Sequence, residues 1–430
     1  MLSILEKWNR WGSNPLNSKI LRTYIPKISP YIHTDEVIAL IGPRKAGKST
    51  ILYQIMDVLE QEGLPKEAIF HMNFEEPSVS SKLTLRTLDK LYESYREHIY
   101  PEGRAYLFLD EIQNIEEWER WVRTRNETEN IKIFITGSSA KLMSREISTL
   151  LTGRHLSFEI FPLSFAEFLD FHQITPPNHR RPIDASPVIK KALNNYIKWG
   201  GFPAVTLAKT EQHKRNILLG YFDDILYKDI ALRHKIRDAV ALRNIAVHLL
   251  SQTGKLISYQ RIANVFQLSE EATKNYCHYI QEAFLIEMLF YYSVKASIRQ
   301  RRPKKVHAID LGLRNTVSIS NAKDEEKVVE SLIYQNLRKR YGNHVFYWSG
   351  NQEIDFVIQE GNNITQLWQI AIDGFENEKV MSRELNAFEE AKQIFPSAEA
   401  FLVTKTMPNQ WEKFPCHVIP LWSFLLGSES

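Results

Sequence analysis

The segment Gly42-Pro43-Arg44-Lys45-Ala46-Gly47-Lys48-Ser49-Thr50 carries its glycines, lysine and hydroxyl at the GxxxxGK[ST] spacing of a phosphate-binding loop. Glycine lets successive backbone N–H groups turn inward on phosphate oxygens, which then sit at the positive end of the following helix dipole. In such a loop Lys48 reaches the β- and γ-phosphates of ATP, and Ser49 ligates Mg²⁺. Farther along, Asp110-Glu111 follows the apolar run Ala105-Tyr106-Leu107-Phe108-Leu109. There Asp110 would hold the Mg²⁺ shell while Glu111 would orient and polarise the attacking water, a reaction governed by positioning and charge stabilisation.

Three apolar runs must position these groups. Val37 to Ile41 reads as a strand buried on both faces of a parallel sheet, and Ser49 to Glu60 as the helix after the loop. The run ending at Leu109 delivers its carboxylates at a strand's carboxyl end, where ligands of open α/β sheets bind. A third strand, Ile131 to Ile135, ends in Thr136-Gly137-Ser138-Ser139, whose hydroxyls could contact the γ-phosphate or the water; Ser138 is the candidate sensor. Arg154 is the candidate arginine completing a neighbouring subunit's site. A structural role for it is the alternative, and Arg145, Arg125 or Arg233 could serve instead.

At 430 residues the chain exceeds one ordinary core, so several domains are expected. Its 43% hydrophobic content is that of a globular protein rather than a disordered one. Cys277 and Cys416 lack the spacing of a disulfide framework or a zinc site, which fits a reducing cytoplasm. No apolar run reaches membrane-spanning length, and no signal peptide is expected. A net charge of +3 favours no partner, but six of the eleven residues from Lys295 to Lys305 are basic, a footprint for a polyanion.

The chain resembles a family of prokaryotic AAA-type ATPases that carry a winged helix and a C-terminal nuclease-like domain. The resemblance rests on GPRKAGKST at 42–50, YLFLDEIQNIEEWERWV at 106–122, FITGSSAKL at 134–142 and LLTGRHLSFEIFPLSFAEFL at 150–169. It continues with YIKWGGFPAV at 196–205, YFDDILYKDIALR at 221–233, ESLIYQNL at 330–337 and EIDFVIQ at 353–359. The resemblance implies an α/β fold with a RecA-like P-loop NTPase core, a helical lid around the GGFP segment, and oligomers with sites at subunit interfaces. A homohexamer is the expected assembly, and the expected work is DNA-related or regulatory.

Four segments are expected: an ATPase core over 1–172, a helical lid over 173–235, a winged-helix domain over 236–320 and a nuclease-like α/β domain over 321–430. The first boundary rests on the four prolines between Gln173 and Val188. Ser258 to Phe266 and Ser269 to Ile286 read as a helix-turn-helix, followed by two strands with the basic stretch between them. Lys274, Asn275 and His278 would then face bases or phosphates of DNA. Arg299, Arg301, Arg302, Lys304 and Lys305 would follow the DNA backbone. Glu270 and Glu271 oppose close phosphate contact at that helix start, and docking of a protein is the alternative use of such a module.

The segment from Lys323 to about Leu426 resembles the PD-(D/E)XK nuclease-like fold, with Glu330 on its first helix and Glu353-Ile354-Asp355 on a hairpin. An active member carries an acid and, two residues on, a lysine in the next strand; here those places are Gln369 and Ala371. A degenerate nuclease site is therefore expected, kept for structure or DNA contact. The combined expectation is an ATP- and Mg²⁺-dependent ATPase that remodels or moves along DNA, branched DNA included. The alternative is a nucleotide-gated switch that binds a protein partner.

Overall fold

Val37–Ile41 (β1), Ala105–Asp110 (β3) and Ile131–Gly137 (β4) are buried at every position, as strands covered on both faces must be. With Ile69–Asn73 (β2) and His155–Glu159 (β5) they form an all-parallel sheet in the order β2-β3-β4-β1-β5. The helix Lys48–Gln61 (α1) covers it with Ile51, Leu52, Ile55, Met56 and Leu59. One polar intruder, Lys132 of β4, is tolerated because its ammonium donates to the carbonyls of Tyr31 and Glu36 at 2.8 and 2.6 Å. The sheet fits a P-loop NTPase core. The structure, a computed structural model, describes residues 2–11, 20–75, 84–139, 153–176, 185–318, 325–372, 378–408, 411 and 414–427, and contacts divide it into units 1–161 and 162–430.

The second unit begins with helices, among them Pro187–Trp199 (α2) and Glu211–Asp224 (α3), the latter running into a π-helical segment Ile225–Leu232. Glycines at 200, 201 and 312 are required here by packing. A Cβ on Gly312 would lie 1.9 Å from the Trp199 carbonyl oxygen, and one on Gly201 2.4 Å from that of Leu163. The Gly201 N–H donates to the buried Asp310 carboxylate at 2.7 Å, so the GGFP segment is pinned to a residue 109 positions away.

Next come Ala239–Ser251 (α4), Lys255–Ile257 (β6), Tyr259–Phe266 (α5), Glu270–Glu282 (α6), Ile286–Leu289 (β7), Ala296–Arg301 (α7) and Lys304–Ala308 (β8). Ser258 and Ser269 cap α5 and α6 by accepting from Arg261 N and Ala272 N. The three strands pair antiparallel in the order β6-β8-β7. The basic stretch between β7 and β8 winds into the short helix α7, which ends before Pro303.

Leu311–Val317 (α8) and Glu325–Tyr341 (α9) lead to a mixed five-stranded sheet in the order β13-β12-β11-β10-β9. Its strands are Val345–Ser349 (β9), Glu353–Glu360 (β10), Asn363–Ala371 (β11), Glu399–Thr404 (β12) and His417–Pro420 (β13), with Glu378–Ile394 (α10) between β11 and β12. The first three pair antiparallel and the last three parallel. Among the described residues no helix is long and apolar enough to cross a membrane.

Candidate active site

The phosphate loop leaves β1 through Gly42, whose N–H donates to Gly137 O at 3.3 Å. A side chain there is sterically impossible without rearrangement, because a Cβ would stand 2.1 Å from the Ile160 carbonyl oxygen. Lys45 and Gly47 take left-handed backbone angles, φ 65° and 99°, which curl the segment before α1 starts at Lys48. The loop thus ends at a helix N-terminus, the geometry that binds phosphate. Pro43, Arg44 and Ala46 lie in the turn, and Ser49 and Thr50 in the first turn of α1.

Lys48 is almost wholly buried. Its ammonium donates to the carbonyls of Gly42 and Pro43, both at 3.1 Å, and lies 3.4 Å from Glu111 Oε1. Arg44 pairs with Glu75 at 2.5 Å. Arg22, far outside the loop in sequence, is buried and donates through Nη1 to Ala46 O at 2.6 Å and through Nη2 to Phe161 O at 2.9 Å. Its backbone N–H also meets Gln54 of α1 at 3.1 Å, so one arginine ties the loop, its helix and the chain beyond β5 together.

Strand β4 lies between β1 and β3, and this order brings Thr136 and Ser138 between the loop and the carboxylates. Thr136 Oγ1 donates to Asp110 Oδ1 at 2.5 Å and accepts from Glu111 N at 2.9 Å. Asn73 at the end of β2 donates to the other Asp110 oxygen at 3.2 Å. Glu111 is a non-glycine residue at φ 55°, a conformation that costs about 1 kcal/mol or more and is held here by the Thr136 hydroxyl. Gln113 then donates to Glu111 Oε2 at 2.5 Å and to Ser138 Oγ at 3.3 Å.

Burial, together with the neighbouring Glu111, pushes Asp110 up to about 6, against hydrogen bonds from Thr136 and Ser49 and the charge of Lys48. Burial also opposes the Glu111 carboxylate, but Lys48, Gln113 and Arg44 outweigh it and hold its pKa below the ordinary value. Glu111 therefore stays ionised, as a residue that attracts a water proton must. The oxygens of Ser49 and Asp110, which share a hydrogen bond, form a hard donor set that fits Mg²⁺. When bound, the ion would neutralise phosphate charge, while the chain's own residues would hold the phosphates and orient water.

The other expected residues are scattered. Arg154 stands at the start of β5, the opposite end of the sheet from the loop, is exposed and pairs with Glu127 at 2.8 Å. Arg125 pairs with Asp89 and Glu129, Arg233 lies in the second unit, and Arg145 falls outside the described residues. Lys274, Asn275 and His278 share the exposed face of α6, although Lys274 pairs with Glu270 at 2.7 Å. Arg301 and Arg302 are exposed, whereas Arg299 is half-buried over the Phe346 ring and Lys304 over Tyr259 and Phe290.

Lys305 corrects the expectation of a backbone contact. It is buried, and its ammonium lies 2.7 Å from Glu330, 2.7 Å from Glu353 and 3.4 Å from Asp355. The pairing of β8 explains this: strand alternation turns Lys305 and His307 to one face and Val306 and Ala308 into the helical core. The C-terminal carboxylates, read in the sequence as a site without its lysine, thus receive one from outside the fold's own motif. Gln369 stands where an acid was expected and bridges the strands, accepting from Asp355 N at 2.7 Å and donating to Glu353 O at 3.0 Å and Glu384 Oε2 at 2.5 Å. Among the described residues no group of three or more His, Cys, Asp or Glu is arranged to hold a metal.

The AAA domain family matches residues 34–169, and two domains of unknown function, DUF8612 and DUF4143, match 190–325 and 325–424. The uncharacterised protein MJ1544 of Methanocaldococcus jannaschii is 35% identical over 369 residues, covering 83% of this chain and 79% of its own. An uncharacterised Haemophilus influenzae protein is 28% identical over 388 residues, covering 89% and 94%. Among solved structures, the Aeropyrum pernix Orc1 protein in complex with DNA aligns at TM-score 0.35 and 11% identity, over 70% of this chain and 93% of that one. AMPPCP-bound DnaA from Aquifex aeolicus aligns at TM-score 0.27 and 13% identity, over 61% and 90%; both likenesses are too distant to bear on function. With an AAA domain built around a complete phosphate loop, the chain belongs to the same protein family as MJ1544.

Proposed function

We propose that this protein hydrolyses ATP with Mg²⁺ and couples the turnover to remodelling of, or movement along, DNA, branched DNA included. The observation that carries the hydrolytic part is the convergence of Lys48, Asp110, Glu111 and Ser138 around one loop, with Glu111 kept ionised. Lys48 and the loop N–H groups hold the phosphates, Ser49 and Asp110 hold Mg²⁺, Glu111 polarises water and Ser138 senses the γ-phosphate. Arg154 acts at a neighbour's site in a homohexamer.

The DNA part is supported by the element order helix, strand, helix, helix, strand, short helix, strand over α4 to β8 with sheet order β6-β8-β7, which suits a winged helix. Its exposed Lys274, Asn275, His278, Arg301 and Arg302 are the contacting set, with Arg299 and Lys304 beside them. The same surface favours a second reading. Lys305 is withdrawn and Lys274 is paired with an acid, so the basic footprint is smaller than its sequence, as suits a switch that docks a protein.

Steady-state ATPase assays of wild type and Glu111→Gln, without DNA and with single-stranded, duplex and four-way-junction DNA at one salt concentration, test this. Stimulation by one DNA form, lost in Glu111→Gln, supports the motor. Equal low rates under every condition refute it in favour of the switch.

A further inference from the structure

The C-terminal carboxylates border a cavity of about 370 Å³ lined by Glu326, Lys327, Glu330, Glu353, Asp355 and Glu384, among others. Such a concentration of acids would ordinarily be read as a divalent-cation site, although Lys327 and Arg383 also line it. The side chains say otherwise. We propose that the resident cation of this carboxylate cluster is Lys305: its ammonium, delivered on β8, pairs with Glu330, Glu353 and Asp355 and keeps divalent metal out.

Three features of the geometry support this. An ammonium has three protons to donate, and Lys305 faces three carboxylates, two of them at the 2.7 Å of charge-assisted hydrogen bonds. Several of the oxygens a metal would use are already engaged. Glu330 Oε2 takes Lys327 at 2.6 Å, Asp355 Oδ2 takes Ile370 N at 3.2 Å, and Gln369 ties Glu384 to the strand pair. Mg²⁺ requires near-octahedral oxygens at about 2.0–2.1 Å, which this crowded arrangement cannot supply without expelling the lysine.

Lys305 is also held where it is. Val306 and Ala308 bury the opposite face of β8, and His307, two residues on, stacks on Tyr334 of α9 with ring centroids 4.3 Å apart. A one-residue slip of β8 would withdraw the ammonium and bury Val306 among acids. Burial works against the charge on Lys305, but Glu330, Asp355 and Glu353 outweigh it and raise its pKa, so it remains a cation at any physiological pH.

The test uses the full-length, nucleotide-free chain and MnCl₂ as the probe, with bound Mn²⁺ read by electron paramagnetic resonance and melting temperature followed in parallel. Lys305→Met keeps side-chain length and removes the charge. It is expected to gain one Mn²⁺ site, at least tenfold tighter than anything in wild type, and to melt higher with Mn²⁺. Lys305→Met/Asp355→Asn should lose that site. A wild-type Mn²⁺ site abolished by Asp355→Asn would overturn the proposal, as would a folded Lys305→Met that gains no site. If Lys305→Met fails to fold, Lys305→Met/Glu330→Gln, which deletes one charge of each sign, should recover folding; failure of that recovery would equally overturn it.

Discussion

Gln113 offers a sharp test of how the hydrolytic site is organised, because it touches Glu111 and Ser138 and none of the phosphate-loop residues in the bonds described. Replacing it with alanine removes the 2.5 Å hydrogen bond to the Glu111 carboxylate but leaves the Lys48 ammonium 3.4 Å from the other oxygen. A hydrogen bond to a charged group contributes about 1.5–3 kcal/mol. With one tenfold step in rate per ~1.36 kcal/mol, loss of that orientation should lower kcat by about 10- to 100-fold. Because Lys48 still restrains Glu111, the lower half of this range is expected. KM for ATP should stay within about twofold, since binding rests on the loop. Gln113→Glu, which sets a second carboxylate against Glu111, should not rescue the rate, whereas Gln113→Asn should recover part of it. Initial-rate measurements across ATP concentrations, on variants with wild-type melting temperature, decide the matter. An unchanged kcat, or a raised KM at constant kcat, would refute Gln113 as the residue that positions Glu111.

Arg22→Ala leaves the carbonyls of Ala46 and Phe161 without their buried donor, so ATP affinity should fall by about tenfold or more along with a loss of roughly 1–3 kcal/mol in stability. Titration with a fluorescent ATP analogue reads this, and wild-type affinity in Arg22→Ala would show that the loop holds its own shape. Asp310 is pushed up to about 6 by burial, against the N–H groups of Gly201 and Leu313. The folded protein therefore binds more protons than the unfolded chain between about pH 4 and 6, and this residue's contribution to stability falls as pH rises through that window, by on the order of 3 kcal/mol. Urea unfolding at several pH values should show a shallower decline for Asp310→Asn, and identical slopes would contradict the assignment.

How far the sequence reached follows from the range of the interactions involved. The phosphate loop, its flanking strand and helix, and the pair Asp110-Glu111 are local features; their spacing alone announces their chemistry, and three of the five strands of the parallel sheet were legible as apolar runs too short for helices. Thr136 was legible only as one hydroxyl among several in its turn. Its clamp on Asp110 and Glu111 exists because β4 is inserted between β1 and β3, an order that no local pattern encodes. Arg22, 24 residues from the loop carbonyl it holds, gave no signal beyond a lone arginine outside any motif. Lys305 shows the limit most plainly. In sequence it is the last of six bases and reads as one more surface charge. In the folded chain, strand alternation turns it inward, where it meets acids 25, 48 and 50 residues away. The sequence by itself determined which groups can bind phosphate and water, because those depend on residue type and short spacing. Only the tertiary structure decided which charges neutralise one another, because electrostatic partners are chosen by distance through space and by desolvation on burial, and neither is a property of neighbours along the chain.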